Sequence, residues 1–80
     1  MFYTYILKSL KQRKFYTGQT DNLEKRLLEH NSGKSLYSRR YMPWECVYFE
    51  QFESKEEAVK KERYFKSAAG RRWLKKYINK

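Results

Sequence analysis

The chain has 80 residues, of which 19 are Lys or Arg and 9 are Asp or Glu, so its formal charge at pH 7 is +10. A chain of this length closes about one hydrophobic core, which excludes a second domain, and residues 1–80 are predicted to form a single domain. The lone Cys46 excludes an intramolecular disulfide, and no group of Cys and His has the clustering of a structural zinc site. The positive charge favours a polyanion as the partner.

Membrane insertion is not expected from this composition. No stretch approaches the roughly 18 apolar residues of a membrane span, and Met1 to Leu7 lack both a basic leader and a small-residue cleavage site. With one cysteine and no such segment, we expect a cytoplasmic protein that is held together by hydrophobic packing.

The first predicted element is a β-hairpin. Phe2 to Leu7 and Lys14 to Gln19 are rich in aromatic and β-branched residues, and Lys8 to Arg13 between them are mostly polar. The turn has no Asn-Gly or Asp-Gly pair, so we expect a longer loop, and turn chemistry does not fix the register. If Tyr5 lies opposite Tyr16, both phenols project from one face of the sheet.

A helix is predicted next, from a cap at Thr20 or Asp21 to about Asn31. At 100° per residue, Arg26 and His30 border its apolar stripe, whereas its other charged residues point to solvent. The position of Arg26 is therefore unusual for a helix arginine.

Lys34 to Met42 show no regular period and are predicted to form a basic loop that ends at Pro43. Trp44 to Phe52 follow as a third strand, which is apolar on both alternations, as expected of a central strand that is covered on both faces. Basic and aromatic side chains of this loop could follow a nucleic-acid backbone and stack on bases, namely Lys34, Tyr37, Arg39, Arg40 and Tyr41. A mobile surface loop would have the same composition.

Two further helices complete the chain. Ser54 with Glu57 forms a capping box that begins a helix through about Lys66, and Glu62 is the one carboxylate within its apolar arc. Gly70 is expected to break the chain before a last helix from Arg71 to Ile78, which has a basic face of Arg71, Arg72, Lys75 and Lys76. That face could bind phosphates or serve solubility. The predicted fold is α+β, with a small central antiparallel three-stranded sheet flanked by about three helices.

The order of these motifs resembles the GIY-YIG nuclease family. Tyr3-Thr4-Tyr5 and Tyr16-Thr17-Gly18 stand for its two triplets, and Arg26 and then Glu62 follow at the expected places. The resemblance covers nearly the whole chain and is strongest to small stand-alone bacterial members and to the nuclease half of the excinuclease C subunit of DNA repair.

The resemblance implies a metal-dependent endonuclease whose catalytic residues are Tyr5, Tyr16, Arg26 and Glu62, with DNA as the expected nucleic acid. Arg26 would bind the phosphate, and Glu62 would hold a single Mg²⁺ or Mn²⁺ ion. Either tyrosine could orient or deprotonate the attacking water. His30 is a further candidate, for phosphate binding or for positioning a tyrosine, or it packs against the hairpin.

Alternative roles remain for two of these residues. Glu62 could instead pair with a nearby Lys or Arg. Gly18 would let either a phosphate or the neighbouring helix approach closely. Gln19 stands where repair members carry a lysine, which motivates a second hypothesis of a weak or inactive nucleic-acid-binding module. A third is membrane-surface attachment through Arg71 to Lys80. Since 80 residues leave no separate base-reading module, a partner protein could supply specificity.

Overall fold

The computed structural model describes residues 1–34 and 36–78. The predicted α+β class is confirmed, with one three-stranded antiparallel sheet. The strands are β1 (Phe2–Ser9), β2 (Phe15–Thr20) and β3 (Trp44–Phe52), and the helices are α1 (Leu23–Asn31), α2 (Leu36–Arg39), α3 (Lys55–Lys66) and α4 (Ala68–Tyr77). Within the described ranges, none of these helices has the length and apolar character needed to cross a bilayer.

The strand order is β2-β1-β3, so the prediction that the third strand is central was wrong. The central strand is β1, in which Thr4, Tyr5, Ile6 and Leu7 are all buried. Strand β3 is an edge strand that pairs only with β1, and Phe49 on it is 54% exposed. Its aromatic rings gave the strand an apolar pattern on both alternations, yet several of these rings are only partly covered.

The turn chemistry left the hairpin register open, and the structure defines it. Tyr5 lies opposite Gly18, and Tyr16 lies opposite Leu7, so the two tyrosines are diagonal neighbours and do not pair directly. Because side chains alternate along a strand, residues two positions apart share a face, and the expectation that both phenols project from one face is confirmed.

The helix caps explain where α1 and α3 begin. The predicted α1 cap was wrong by one or two positions, because the side chain of Asn22 accepts from Lys25 N at 3.1 Å. The predicted capping box of α3 is confirmed at its first position, where Ser54 Oγ accepts from Glu57 N at 3.2 Å. Thr20 instead supports the α1 cap, because its hydroxyl accepts from Asn22 N.

Two predictions were wrong between Lys34 and the last helix. The predicted loop contains the short helix α2, whose Ser38 carbonyl accepts from Trp44 Nε1 at 2.8 Å. Gly70 does not break the chain but lies in the first turn of α4, which Ser67 caps. A side chain at this glycine would overlap the backbone of Tyr64 and Phe65, so Gly70 lets α4 pack against the end of α3.

The core has one part on each face of the sheet. Tyr5, Leu7 and Trp44 pack with Leu23 and Leu27 of α1 on one face. On the other face, the aliphatic and aromatic side chains of β1, α3 and α4 meet, namely Ile6, Phe65 and Leu74. The helix that carries Arg26 and the helix that carries Glu62 therefore lie on opposite faces.

Candidate active site

The centre of the site is a cluster of Tyr5, Arg26 and His30. Tyr5 is 1% exposed, and its hydroxyl accepts from Arg26 Nε at 3.4 Å and lies 3.3 Å from His30 Nε2. Arg26 and His30 are four residues apart in α1, so they occupy the same side of that helix. Because α1 packs on the face of the sheet from which Tyr5 projects, both side chains reach the same phenol.

Tyr16 completes the aromatic wall of this cluster. Its ring centroid is 6.3 Å from that of Tyr5 with an angle of 25° between planes, and 4.5 Å from the His30 ring. The pKa of Arg26 is raised mainly because its guanidinium donates to Tyr5, with a smaller contribution from the hydroxyl of Tyr16. One guanidinium therefore faces both phenols.

The electrostatic environment fixes the protonation states of these groups at neutral pH. Burial raises the pKa of Tyr5 to about 12; the hydrogen bond from Arg26 and the charge of Arg26 oppose that rise, and Tyr16 and Glu62 add to it electrostatically. Burial also lowers the pKa of His30, and the positive charge of Arg26 lowers it further. Tyr5 is therefore a protonated phenol, His30 is neutral, and Arg26 is the cation of the cluster.

Gly18 is required by the close approach of Tyr5. A Cβ atom at position 18 would lie 2.6 Å from the Tyr5 hydroxyl oxygen and 2.9 Å from its Cζ. The residue that approaches this glycine is thus the tyrosine of the neighbouring strand, whereas a phosphate or a helix was expected.

Glu62 lies on α3, on the opposite face of the sheet from α1. Its side chain is 22% exposed, and its Oε2 accepts from Lys66 Nζ at 2.8 Å. Its carboxylate is near enough for its charge to contribute to the raised pKa of Tyr5. The ion-pair alternative is therefore present in the structure, while the carboxylate also lies within electrostatic range of the cluster.

A hydrogen bond between β1 and α3 holds Glu62 at this position. The Thr4 hydroxyl, which is fully buried, donates to the carbonyl of Ala58 at 2.6 Å. That carbonyl lies one helical turn before Glu62, so the middle residue of the first triplet fixes α3 against the strand that carries Tyr5.

The donor set at Glu62 fits a hard divalent ion that keeps most of its water. Over residues 1–34 and 36–78, no three residues of the types His, Cys, Asp and Glu come together as a metal-binding group. A single, partly exposed carboxylate is enough for Mg²⁺, which usually retains several waters, but not for a cage made of protein ligands alone. Such an ion would compete with the ammonium of Lys66, which is paired with Oε2, for the carboxylate.

The predicted nucleic-acid-binding residues fall into two groups. Lys34 lines a cavity of about 210 Å³ with Arg26, Glu29 and His30, and Arg71 lines a larger groove that includes Tyr16. The remaining three are exposed and line neither cavity: Arg39, Arg40 and Arg72.

A supporting residue that the sequence did not single out is Asn31, at the end of α1. Its Nδ2 donates to the Trp44 carbonyl at 3.1 Å, and its Oδ1 accepts from Trp44 N at 2.6 Å. This pair of bonds joins the helix that carries Arg26 to the start of β3. An asparagine at a helix end is an ordinary sequence feature, so no local signal marks this contact.

The chain is thus a small α+β domain in which two hairpin phenols face an arginine of the following helix. The chain belongs to the GIY-YIG family, because the model of the GIY-YIG catalytic domain matches residues 1–77.

The predicted likeness to small bacterial members is also confirmed. The chain is 51% identical over 67 residues to the UPF0213 protein CPE1444 of Clostridium perfringens (strain 13 / Type A), a match that covers 82% of this chain and 71% of that protein. It is 40% identical over 77 residues to the UPF0213 protein SpyM3_1077 of Streptococcus pyogenes serotype M3, covering 95% and 83%. The solution NMR structure of the UPF0213 protein BH0048 from Bacillus halodurans aligns over 98% of this chain and 86% of that chain, with 34% identity and a TM-score of 0.56.

Proposed function

We propose that this protein is a metal-dependent endonuclease that hydrolyses phosphodiester bonds in nucleic acid, with DNA as the expected substrate. The observation that carries the proposal is the buried hydroxyl of Tyr5, which accepts from Arg26 and lies beside His30. An arginine held by a phenol in this way is pre-oriented, and the chain around it has a formal charge of +10.

Arg26 is the group suited to bind the phosphate. Its Nε is engaged by Tyr5, which fixes the plane of the guanidinium, and its side chain is 42% exposed. Its only ion pair in the described part of the chain is a long one, 3.8 Å from Nη1 to Glu29. The terminal nitrogens can therefore donate to two non-bridging phosphate oxygens, where negative charge increases during hydrolysis.

Tyr5 and His30 are suited to hold and move a proton. A phenol with a pKa near 12 does not remove a proton from water at neutral pH unless a cation lowers that pKa. Neutral His30 has a ring nitrogen 3.3 Å from the Tyr5 hydroxyl, so it can accept a hydrogen bond from that hydroxyl, and it can take the proton only after a bound cation has lowered the pKa of the phenol. Tyr16 is less buried and interacts with the same arginine, so its hydroxyl is suited to orient the attacking water.

Glu62 would hold the single Mg²⁺ or Mn²⁺ ion. Such an ion, when bound, would neutralise charge on the phosphate and on the leaving oxygen. The carboxylate is partly exposed, and Lys66, its present partner, is 58% exposed, so exchange of one cation for another needs no opening of the core.

The test is a nicking assay on supercoiled and on branched DNA, with and without Mg²⁺. Arg26→Ala and Glu62→Gln should each lower the rate by about 100-fold or more. Glu56→Gln, which removes an exposed carboxylate from the first turn of the same helix as Glu62, should leave the rate unchanged. Cleavage that survives both substitutions would contradict the proposal.

A nucleic-acid-binding module without turnover is the second candidate. The ion pair between Glu62 and Lys66 at 2.8 Å favours it, because the ammonium already neutralises the carboxylate and competes with a metal ion for it. Salt-sensitive binding with no cleavage in any divalent metal would select it. The partner protein, the role in DNA repair and the cytoplasmic location stay predictions, and the membrane-surface alternative includes Asn79 and Lys80, which lie outside the described residues.

A further inference from the structure

A groove of about 620 Å³ runs along the free edge of β2, where the two faces of the sheet meet. We call it the edge groove. Its walls carry Phe15 and Tyr16 of β2 and Tyr37 of α2, and Phe65 and Leu74 form an apolar floor. This volume is within the range of small-ligand sites.

The rim of the edge groove is basic. Lys66, Arg71 and Lys75 line it, and no acidic residue does so among the described residues. Arg71 and Lys75 are exposed and four residues apart on α4, so they occupy the same side of that helix. Aromatic walls under a cationic rim match a ligand that has flat apolar rings joined to phosphates.

The edge groove is continuous with the candidate active site. Tyr16 belongs to both, since its ring packs on Tyr5 and His30 and also lines the groove. Lys66 lines the groove and binds the carboxylate of Glu62. If the cleaved phosphate of a nucleic-acid strand binds Arg26, the neighbouring nucleotide of that strand would therefore lie in the edge groove.

We propose that the edge groove binds an unpaired nucleobase next to the cleaved phosphate, so that the preferred substrates carry an unstacked or single strand at the cut. The placement relative to the cut rests on the proposed nuclease function. In a duplex, both faces of each base are covered by neighbouring bases, whereas an unpaired base can stack on a protein ring. Tyr37, which is 48% exposed and packs at a tilt against Tyr16 and Tyr41, is the most exposed aromatic ring that lines the groove.

The test is binding of fluorescent oligonucleotides of about ten residues, measured by anisotropy in EDTA so that cleavage plays no part. Three probes carry the same number of phosphates per strand: oligothymidylate, an abasic strand and a hairpin duplex. The wild-type protein should prefer oligothymidylate over the abasic strand. Tyr37→Ala should weaken oligothymidylate binding about tenfold and leave the affinity for the abasic strand unchanged. Tyr37→Phe, which keeps the ring, should bind oligothymidylate as the wild-type protein does.

A matched pair of charge variants tests the rim. Lys75 lines the edge groove, and Lys76 is the next residue on the same helix but does not line it. Lys76→Gln should weaken the binding of all three probes by the same small factor. Lys75→Gln should weaken oligothymidylate binding several-fold more than hairpin binding.

The outcomes separate this inference from the proposed function. Equal affinity for oligothymidylate and the abasic strand, or no effect of Tyr37→Ala in a variant whose circular dichroism is unchanged, would overturn the edge groove as a base site, even if the enzyme nicks DNA. Conversely, base-dependent binding that Tyr37→Ala removes would support the groove even if no metal gave turnover.

Discussion

The substitution Gly18→Ala tests the packing on which the site depends. The added Cβ would lie 2.6 Å from the Tyr5 hydroxyl oxygen, 2.9 Å from Tyr5 Cζ and 3.2 Å from a ring carbon of Tyr16. Ordinary contacts are about 3.5–4.0 Å, so the Tyr5 ring would have to move by about 1 Å. Tyr5 is 1% exposed and packed in the core, so its movement disturbs that packing, and we expect a loss of about 1–3 kcal/mol in the free energy of unfolding.

The same movement should reduce activity more than stability alone explains. The bonds of the Tyr5 hydroxyl to Arg26 and His30 are already 3.4 and 3.3 Å long, so a displacement of about 1 Å breaks both. A misplacement of this size can lower a rate by about 100-fold. The assays are urea denaturation and single-turnover nicking at a temperature where the variant is folded.

Two controls make this prediction specific. Gly33→Ala strains a residue with a φ of 82° and should cost about 1–2 kcal/mol, but the nicking rate of the folded protein should not change. Tyr5→Phe removes the atom nearest to the added methyl, so Gly18→Ala should cost less in that background. Equal cost in both backgrounds, or wild-type nicking by Gly18→Ala, would refute the reasoning.

Three further predictions concern the supports of the site. Thr4→Val removes the hydroxyl that donates to the Ala58 carbonyl; we expect a loss of about 1 kcal/mol by urea denaturation, and an unchanged midpoint would contradict a supporting role. Asn31→Ala leaves two backbone groups of Trp44 without their partner and should cost about 2–3 kcal/mol, measured as a lower melting temperature. The pKa of His30 in the folded state is below its ordinary value of 6.5, so its contribution to stability is present above about pH 6.5 and is lost as the pH falls through the folded-state pKa. The loss of stability in acid should therefore be weaker in His30→Gln. Identical plots of unfolding free energy against pH for the two proteins would contradict this prediction.

The elements that local patterns determine were predictable from the sequence. The three strands and the helices α1, α3 and α4 were each found to within a few residues, because caps such as Ser54 and apolar periods are local signals. The membership of Arg26 and His30 in one helix placed both on the face that docks against Tyr5. The roles assigned to them came from the family resemblance and stay predictions.

The features that depend on tertiary packing were not predictable. The order β2-β1-β3 depends on which edge of β1 the third strand joins, and the aromatic residues of β3 suggest burial that an edge strand does not have. The prediction of a break at Gly70 was wrong because glycine has the same local signature at a helix end and at a close helix contact. The hydrogen bond of Thr4 to Ala58 joins residues 54 positions apart, and that of Asn31 to Trp44 joins residues 13 positions apart, so no local pattern predicts either bond.

The central claim is that Glu62 holds a divalent ion beside Tyr5 and Arg26, and the most direct measurement is anomalous diffraction from crystals soaked in Mn²⁺. The account predicts an anomalous peak at the Glu62 carboxylate, with Lys66 displaced from it, and no peak in crystals of Glu62→Gln. A Glu62 that keeps its bond to Lys66 while Mn²⁺ binds elsewhere, or nowhere, would contradict it.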